Sequence, residues 1–295
     1  MRVYVIINPG AGQNRPILAP INDLFVAKDV EWAVDVTNKA GDARRFAEHA
    51  VGEGYDVVAV YGGDGMVMEV ASGLQGSGVP MAILPGGTAN VMSVDLGIPS
   101  DLEEAVALIL DESHEIASVD IGQVADHGYF VLRIGFGIEA EMVKGADREA
   151  KDWLGAVAYA FAAQKALSVP PSLYRITVDG ETIEREGVTC LICNSGSVGQ
   201  GTLRLAPDIS VTDGILDVVV LQKAQLTTLG QLAYEVVTGQ EPSNEALAHW
   251  RGREISVEAL PPQSIQLDGE VLDARKLSVS VVPGALRVIV PAGRI

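Results

Sequence analysis

Three stretches of this chain join an apolar run to a glycine-rich turn, and their residue types suit the holding of phosphate. Val57-Val58-Ala59-Val60-Tyr61 leads into Gly62-Gly63-Asp64-Gly65. Where glycine stands, backbone N–H groups can approach a ligand that any Cβ would keep away. Glu69 follows in Met66-Val67-Met68-Glu69-Val70-Ala71, and with Asp64 it could hold a metal-bound phosphate. Val3 to Ile7 ends in Asn8-Pro9-Gly10-Ala11-Gly12, and Met81 to Leu84 ends in Pro85-Gly86-Gly87-Thr88-Ala89-Asn90. One such loop is equally a strand-to-helix turn with an aspartate cap. Three are harder to explain as packing, because the carboxyl ends of strands in an open parallel sheet share one edge, where ligands bind.

No lysine follows any of the loops in the Walker pattern, and Asn8 to Gly12 is not the dinucleotide fingerprint. Farther along lie Asp213-Gly214 and Asp268-Gly269-Glu270, whose carboxylates suit metal binding or proton transfer but whose Asp-Gly pairs equally make turns. Cys190 and Cys193 fall on a predicted strand, where residues three apart point to opposite faces, so they read as buried structural cysteines. The four histidines have no ligand spacing.

The elements that must carry these loops alternate. Strands are predicted at Val3 to Ile7, Trp32 to Val36, Val57 to Tyr61 and Met81 to Leu84. Helices are predicted at Ile17 to Phe25, over Ala43 to Val51, and from a Ser100/Glu103 capping box to about Leu110. That pattern is a doubly wound parallel α/β domain. From Val119 short runs separated by turns take over: Val119 to Val124, Tyr129 to Gly137, Leu173 to Val178 with a hairpin at Asp179-Gly180, and Val188 to Cys193. Leu216 to Leu221, Ile255 to Ala259, Ser264 to Asp268 and Leu277 to Val282 follow, interrupted by helices over 152–167 and 225–237. This half is mainly antiparallel β. The boundary is placed near Glu115 to Ser118, giving domains of 1–117 and 118–282.

The three loops together resemble the catalytic domain of the diacylglycerol kinase family, which includes bacterial lipid kinases and sphingosine kinases. The resemblance continues through Phe130 to Gly137, Asn194 to Pro207, Asp213-Gly214-Ile215-Leu216-Asp217 and Asp268-Gly269-Glu270, nearly the whole chain. This chain has Met66 where the family usually has threonine, Gln200 between Gly199 and Gly201, and Val91 where many members have aspartate. The resemblance implies a cleft between the domains as active site, and a last strand, Leu286 to Val290 within 283–295, that returns to the first domain. It implies ATP and Mg²⁺ as cofactors, with ATP on Asn8, Pro9, Gly10, Ala11, Gly12, Thr37, Gly62, Gly63, Asp64, Gly65, Met66, Glu69, Gly87, Thr88 and Asn90. Asp64, Asp268 and Glu270 would be catalytic, either of the last two serving as base. Asp213 with the carbonyls of Ser210 and Ile215 would hold a structural Mg²⁺.

At 295 residues and 48% hydrophobic content the chain can fill two cores. A formal charge of −18 argues against nucleic acid as a partner and against adhesion to anionic lipid. The opening apolar run is too short for a signal sequence, and Ala156 to Ala163 is too short to span a bilayer, so a cytoplasmic protein is expected. A neutral lipid substrate then requires transient contact with a membrane surface, and a homodimer is one open option for assembly. The expected activity is γ-phosphate transfer from ATP to the hydroxyl of a neutral lipid such as diacylglycerol or a sphingoid base. The rivals are an NAD kinase, which shares Gly-Gly-Asp-Gly, and a silent nucleotide or lipid sensor, which Met66 would favour.

Overall fold

Unbroken apolar runs form strands buried on both faces, and the strand Val57–Gly62 is buried at all six of its positions. A computed structural model describes residues 1–12, 16–137, 170–198, 203–206, 208–222, 247–272 and 274–294. The helices expected over 152–167 and 225–237, Gly199-Gln200-Gly201 and Pro207 lie outside them. The chain divides into two units, Met1–Val119 with Gly284–Ile295, and Asp120–Pro283.

In the first unit the order is β1 (Arg2–Ile7), α1 (Leu18–Ala27), β2 (Glu31–Val36), α2 (Asp42–Gly52), β3 (Val57–Gly62), α3 (Asp64–Leu74), β4 (Met81–Pro85), α4 (Val91–Asp95) and α5 (Leu102–Leu110). The strands lie β2-β1-β3-β4, all parallel. Helical spacing acts as expected in α2, which buries Ala43, Ala47 and Ala50 and pairs Arg44 with Glu48 across its outer face. The start of α5 differs from the Ser100/Glu103 box. Asp101, extended at φ −77°, accepts from the Glu103 and Glu104 amides at 2.9 and 3.2 Å, because it stands one residue closer to the helix than Ser100.

The chain enters the second unit within β5 (Glu115–Val124) and continues through β6 (Gly128–Phe130), β7 (Arg133–Gly137), β8 (Ser172–Val178), β9 (Glu181–Gly187), β10 (Thr189–Cys193), β11 (Ser197–Val198) and β12 (Leu203–Arg204). Then come β13 (Leu216–Leu221), β14 (Leu247–Gly252), β15 (Glu254–Leu260), β16 (Ile265–Leu267), β17 (Glu270–Leu272) and β18 (Lys276–Val290), whose last residues belong to the first unit. There Val288 pairs in parallel with Met81 of β4.

Two antiparallel layers make up this unit, β18-β15-β8-β9 and β14-β13-β10-β7-β16-β17. Phe136, Tyr174, Ile176, Cys190, Val218, Val257 and Leu277 belong to one core cluster drawn from both layers, while Cys193 packs in a separate cluster with Leu191, Ile209 and Val219. The two cysteines therefore face opposite ways, as the strand period requires. Asp179 and Gly180, at φ 47° and 89°, close the β8–β9 hairpin as a two-residue turn.

The run from Tyr129 to Gly137 is not one strand. It breaks at Val131-Leu132 into β6, which pairs with β5, and β7, which pairs with β10 and β16.

Candidate functional site

The loops that follow β1, β3 and β4 come together at the carboxyl edge of the first unit's sheet. Asn8 donates its amide to the Tyr61 carbonyl at 3.0 Å, and Gly86 donates to Gly62 at 2.9 Å, so each outer loop is tied to the central one. A Cβ built on Gly87 would stand 2.5 Å from the Gly63 Cα, backbone against backbone, and neither chain can yield cheaply. Among the described residues no side chain caps α3, so its first turn has amides to offer an anion.

Part of the expected cradle serves the loops themselves. The Asn8 carboxamide oxygen accepts from the Gly10 amide at 2.9 Å, and the Asn8 carbonyl from Ala11 at 3.1 Å. Asn90, left-handed at φ 49°, accepts from the Gly87 amide and returns its own NH₂ to the Gly87 carbonyl. Gly10, Ala11 and Gly87 thus spend their amides on shaping. Among the described residues the amides of Gly12, Gly63, Gly65 and Thr88 have no such internal partner.

The side chains divide likewise. Asp64 is the first helical residue of α3 rather than its cap, and its carboxylate reaches the Met92 amide at 3.4 Å. Glu69 is engaged by the backbone at the start of α2: one carboxylate oxygen accepts from the Gly41 and Ala43 amides at 3.0 and 3.2 Å and so caps that helix. Thr37 is buried at the end of β2, its hydroxyl 3.4 Å from the Ile7 carbonyl and 3.9 Å from the Met66 sulfur. Met66 fills the space beneath Gly62, where an added Cβ would lie 2.6 Å from its Cγ. Thr88 is exposed at the loop tip.

In the second unit, Asp268 and Gly269, at φ 44° and 93°, form the two-residue turn between β16 and β17. The turn sends Asp268 and Glu270 to different tasks. Asp268 accepts from three consecutive amides, Val131 at 2.7 Å, Leu132 at 3.1 Å and Arg133 at 2.8 Å. It thereby satisfies the backbone where the Tyr129 to Gly137 run breaks. Burial pushes its carboxyl up to about 6, although the three amides pull the other way. Glu270 is exposed.

The carbonyls of the same break are taken by a strand end that motif reading had not assigned a role. The Asn194 NH₂ donates to Val131 and Asp120 at 2.8 and 2.9 Å, and the Asn194 and Ser195 amides both donate to Leu132. In sequence it opens the Asn194 to Pro207 stretch of the family resemblance and stands directly after the apolar run of β10. Asp120 is buried, and its carboxylate accepts from the Gly214 amide at 2.6 Å.

Asp213 sits in the turn before β13. Its carboxylate accepts from the Ile215 amide at 3.1 Å and pairs with the Arg251 guanidinium, which also reaches buried Asp217 at 3.1 Å. Burial raises the Asp213 carboxyl above the usual range. His249 contacts the same Asp217 oxygen at 2.6 Å. A divalent cation on Asp213, Ser210 and Ile215 would compete with Arg251 for the only carboxylate of that set, so the donors as arranged do not fit a structural Mg²⁺. No cluster of three or more His, Cys, Asp or Glu side chains among the described residues is placed to hold a metal.

Comparison with known proteins agrees with this architecture. Residues 2–124 match the diacylglycerol kinase catalytic domain, and residues 133–290 match the YegS C-terminal NAD kinase beta sandwich-like domain. A Pseudomonas aeruginosa protein named "Probable lipid kinase YegS-like" is 37% identical over 269 residues, which is 89% of this chain and 86% of that protein. A Bacillus subtilis diacylglycerol kinase is 30% identical over 275 residues, 91% of this chain and 89% of that one. A crystal structure of a diacylglycerol kinase from Bacillus anthracis superimposes with a TM-score of 0.77 at 23% identity, over 100% of this chain and 98% of the other, and shows the same fold. The chain belongs to the family of diacylglycerol kinases and YegS-like lipid kinases.

Proposed function

We propose that this lipid kinase transfers the γ-phosphate of ATP to the hydroxyl of a neutral lipid, with diacylglycerol and sphingoid bases as the leading acceptor classes. The observation that carries the reading is the junction of three glycine turns, where the Gly63 and Gly87 backbones leave no room for a Cβ. Backbone amides at that edge suit triphosphate oxygens without a Walker lysine. Mg²⁺ bound with the nucleotide supplies charge neutralisation on the phosphates. As the lipid hydroxyl oxygen bonds to the γ-phosphorus, the bond from phosphorus to the bridging oxygen breaks and ADP leaves, while the hydroxyl proton passes to a carboxylate.

Glu270 is our assignment for that base. Asp268, the other carboxylate of the turn, has its oxygens engaged by three amides. An exposed carboxylate is the one free to meet a substrate. Among the described residues no helix is long and apolar enough to cross a membrane, and we propose that the lipid is taken during transient contact with a membrane surface.

The test is transfer of label from γ-labelled ATP with Mg²⁺ to a panel of acceptors in mixed micelles: diacylglycerol, monoacylglycerol, a sphingoid base and a prenol. NAD is included because the second unit matches a domain described as NAD kinase-like. Label in a lipid supports the reading, and label in NAD alone overturns it. ATP binding with no transfer to any acceptor favours a silent sensor.

A further inference from the structure

The residue that closes β3 carries a group that the loops do not use. Tyr61 is fully buried, and among the described residues its hydroxyl has no hydrogen-bond partner. An unmade bond on a buried donor is a standing cost to the fold, which phenylalanine in the same space would not incur. The surroundings of that hydroxyl are specific. Gly12, from the turn after β1, lies against it so closely that a Cβ there would overlap the phenolic oxygen. Gly86, from the turn after β4, lies over the ring, and its Cβ would stand 2.9 Å from the Tyr61 Cζ. The phenol is thus covered by two of the three glycine turns, and both present bare backbone.

Chemistry narrows what could complete it. Two carbonyls close to the ring's own strand end are already engaged: Asn8 accepts from Ala11, and Gly62 accepts from Gly86. A hydroxyl proton needs an acceptor, and a phosphate oxygen brings several lone pairs to loops that also offer N–H donors. We propose that the Tyr61 hydroxyl is a phosphate contact of the nucleotide site, donating its proton to a phosphate oxygen held at the Gly12 and Gly86 turns. The inference rests on the reading of these loops as the ATP site and adds to it a side-chain donor that the backbone cradle lacks.

Tyr61→Phe tests it, because the proposal gives two effects of opposite sign. Removing the unpaired hydroxyl should raise the melting temperature of the ligand-free protein by about 2 °C or more. It should weaken ATP binding about tenfold, the size of one hydrogen bond to a charged acceptor, and raise KM for ATP with kcat little changed. Adenosine, which has no phosphate, should bind the variant as it binds the parent. If the variant binds ATP as tightly as the parent, or loses adenosine and ATP affinity equally, the phosphate contact is refuted while the ATP site stands. If the parent itself does not bind ATP, both the site and the contact fall.

Discussion

Both units hold an irregular polar segment in place, but by opposite means. In the first, the segments are glycine turns joined to one another by main chain, Asn8 to Tyr61 and Gly86 to Gly62 with Gly63 packed on Gly87, while the Asn8 and Asn90 side chains shape only their own turns. The side chains nearby look elsewhere, Glu69 to the start of α2 and Met66 to Thr37. In the second unit the break between β6 and β7 is held by side chains, Asp268 on its amides and Asn194 on its carbonyls. The lesson is that a carboxylate in a motif is not by that fact chemical. Where glycine backbone supplies the donors, ligand groups can use them, whereas a side chain already spent on backbone has little left for substrate.

The sharpest way to break this contrast is to separate the two carboxylates of the β16–β17 turn. Glu270→Gln should lower turnover about a hundredfold or more with ATP binding and melting temperature nearly unchanged. Normal turnover in that variant would remove Glu270 from the chemistry. Asp268→Ala should act mainly through stability, costing about 3 kcal/mol in denaturant unfolding because three amides lose their acceptor at once. A variant that unfolds like the parent but no longer turns over would make Asp268 chemical instead.

Two smaller effects sharpen the picture. Met66→Thr should cost about 2 kcal/mol, since a side chain packed under Gly62 and against Thr37 is cut back in a core position; urea titration measures it. A variant that is equally stable and more active would mean that position 66 faces the ligand. Arg251→Met should cost about 1 kcal/mol, because His249 still contacts Asp217. The parent's melting temperature should not respond to Mg²⁺ or a chelator through this turn. A clear fall on chelation in the ligand-free parent would restore a cation to Asp213.

How much could be read beforehand follows from how far apart the partners are. The Gly62 to Gly65 turn carries strand, turn and helix start within a dozen residues, so its place at a strand end was legible in the chain itself. So were the parallel and antiparallel halves, because hydrophobic period is a local property. Asp268 could not be placed, since its amide partners are 135 to 137 residues away and no spacing rule connects them. The same bonds explain why one apolar run became β6 and β7. Asn194 lay hidden for the same reason, 63 residues from the carbonyl it serves. The Ser100 cap failed for a local reason: two candidate caps stood side by side, and backbone conformation chose Asp101.

The strand β18 has a consequence for how the protein is made. Its final residues, with Gly284–Ile295, belong to the first unit, and Arg287 donates to the Gly78 carbonyl 209 residues earlier at 3.0 Å. On the ribosome, β1 to β4 therefore emerge long before the strand that covers the free edge of β4 has been translated. An exposed edge of apolar, parallel strands waits through synthesis of the whole second unit, and that is the interval in which a nascent chain is open to wrong pairing. Closing so long a loop also places this step late among the folding events. The second unit, contiguous in sequence, can complete its two layers first and deliver β18 already ordered at its other end.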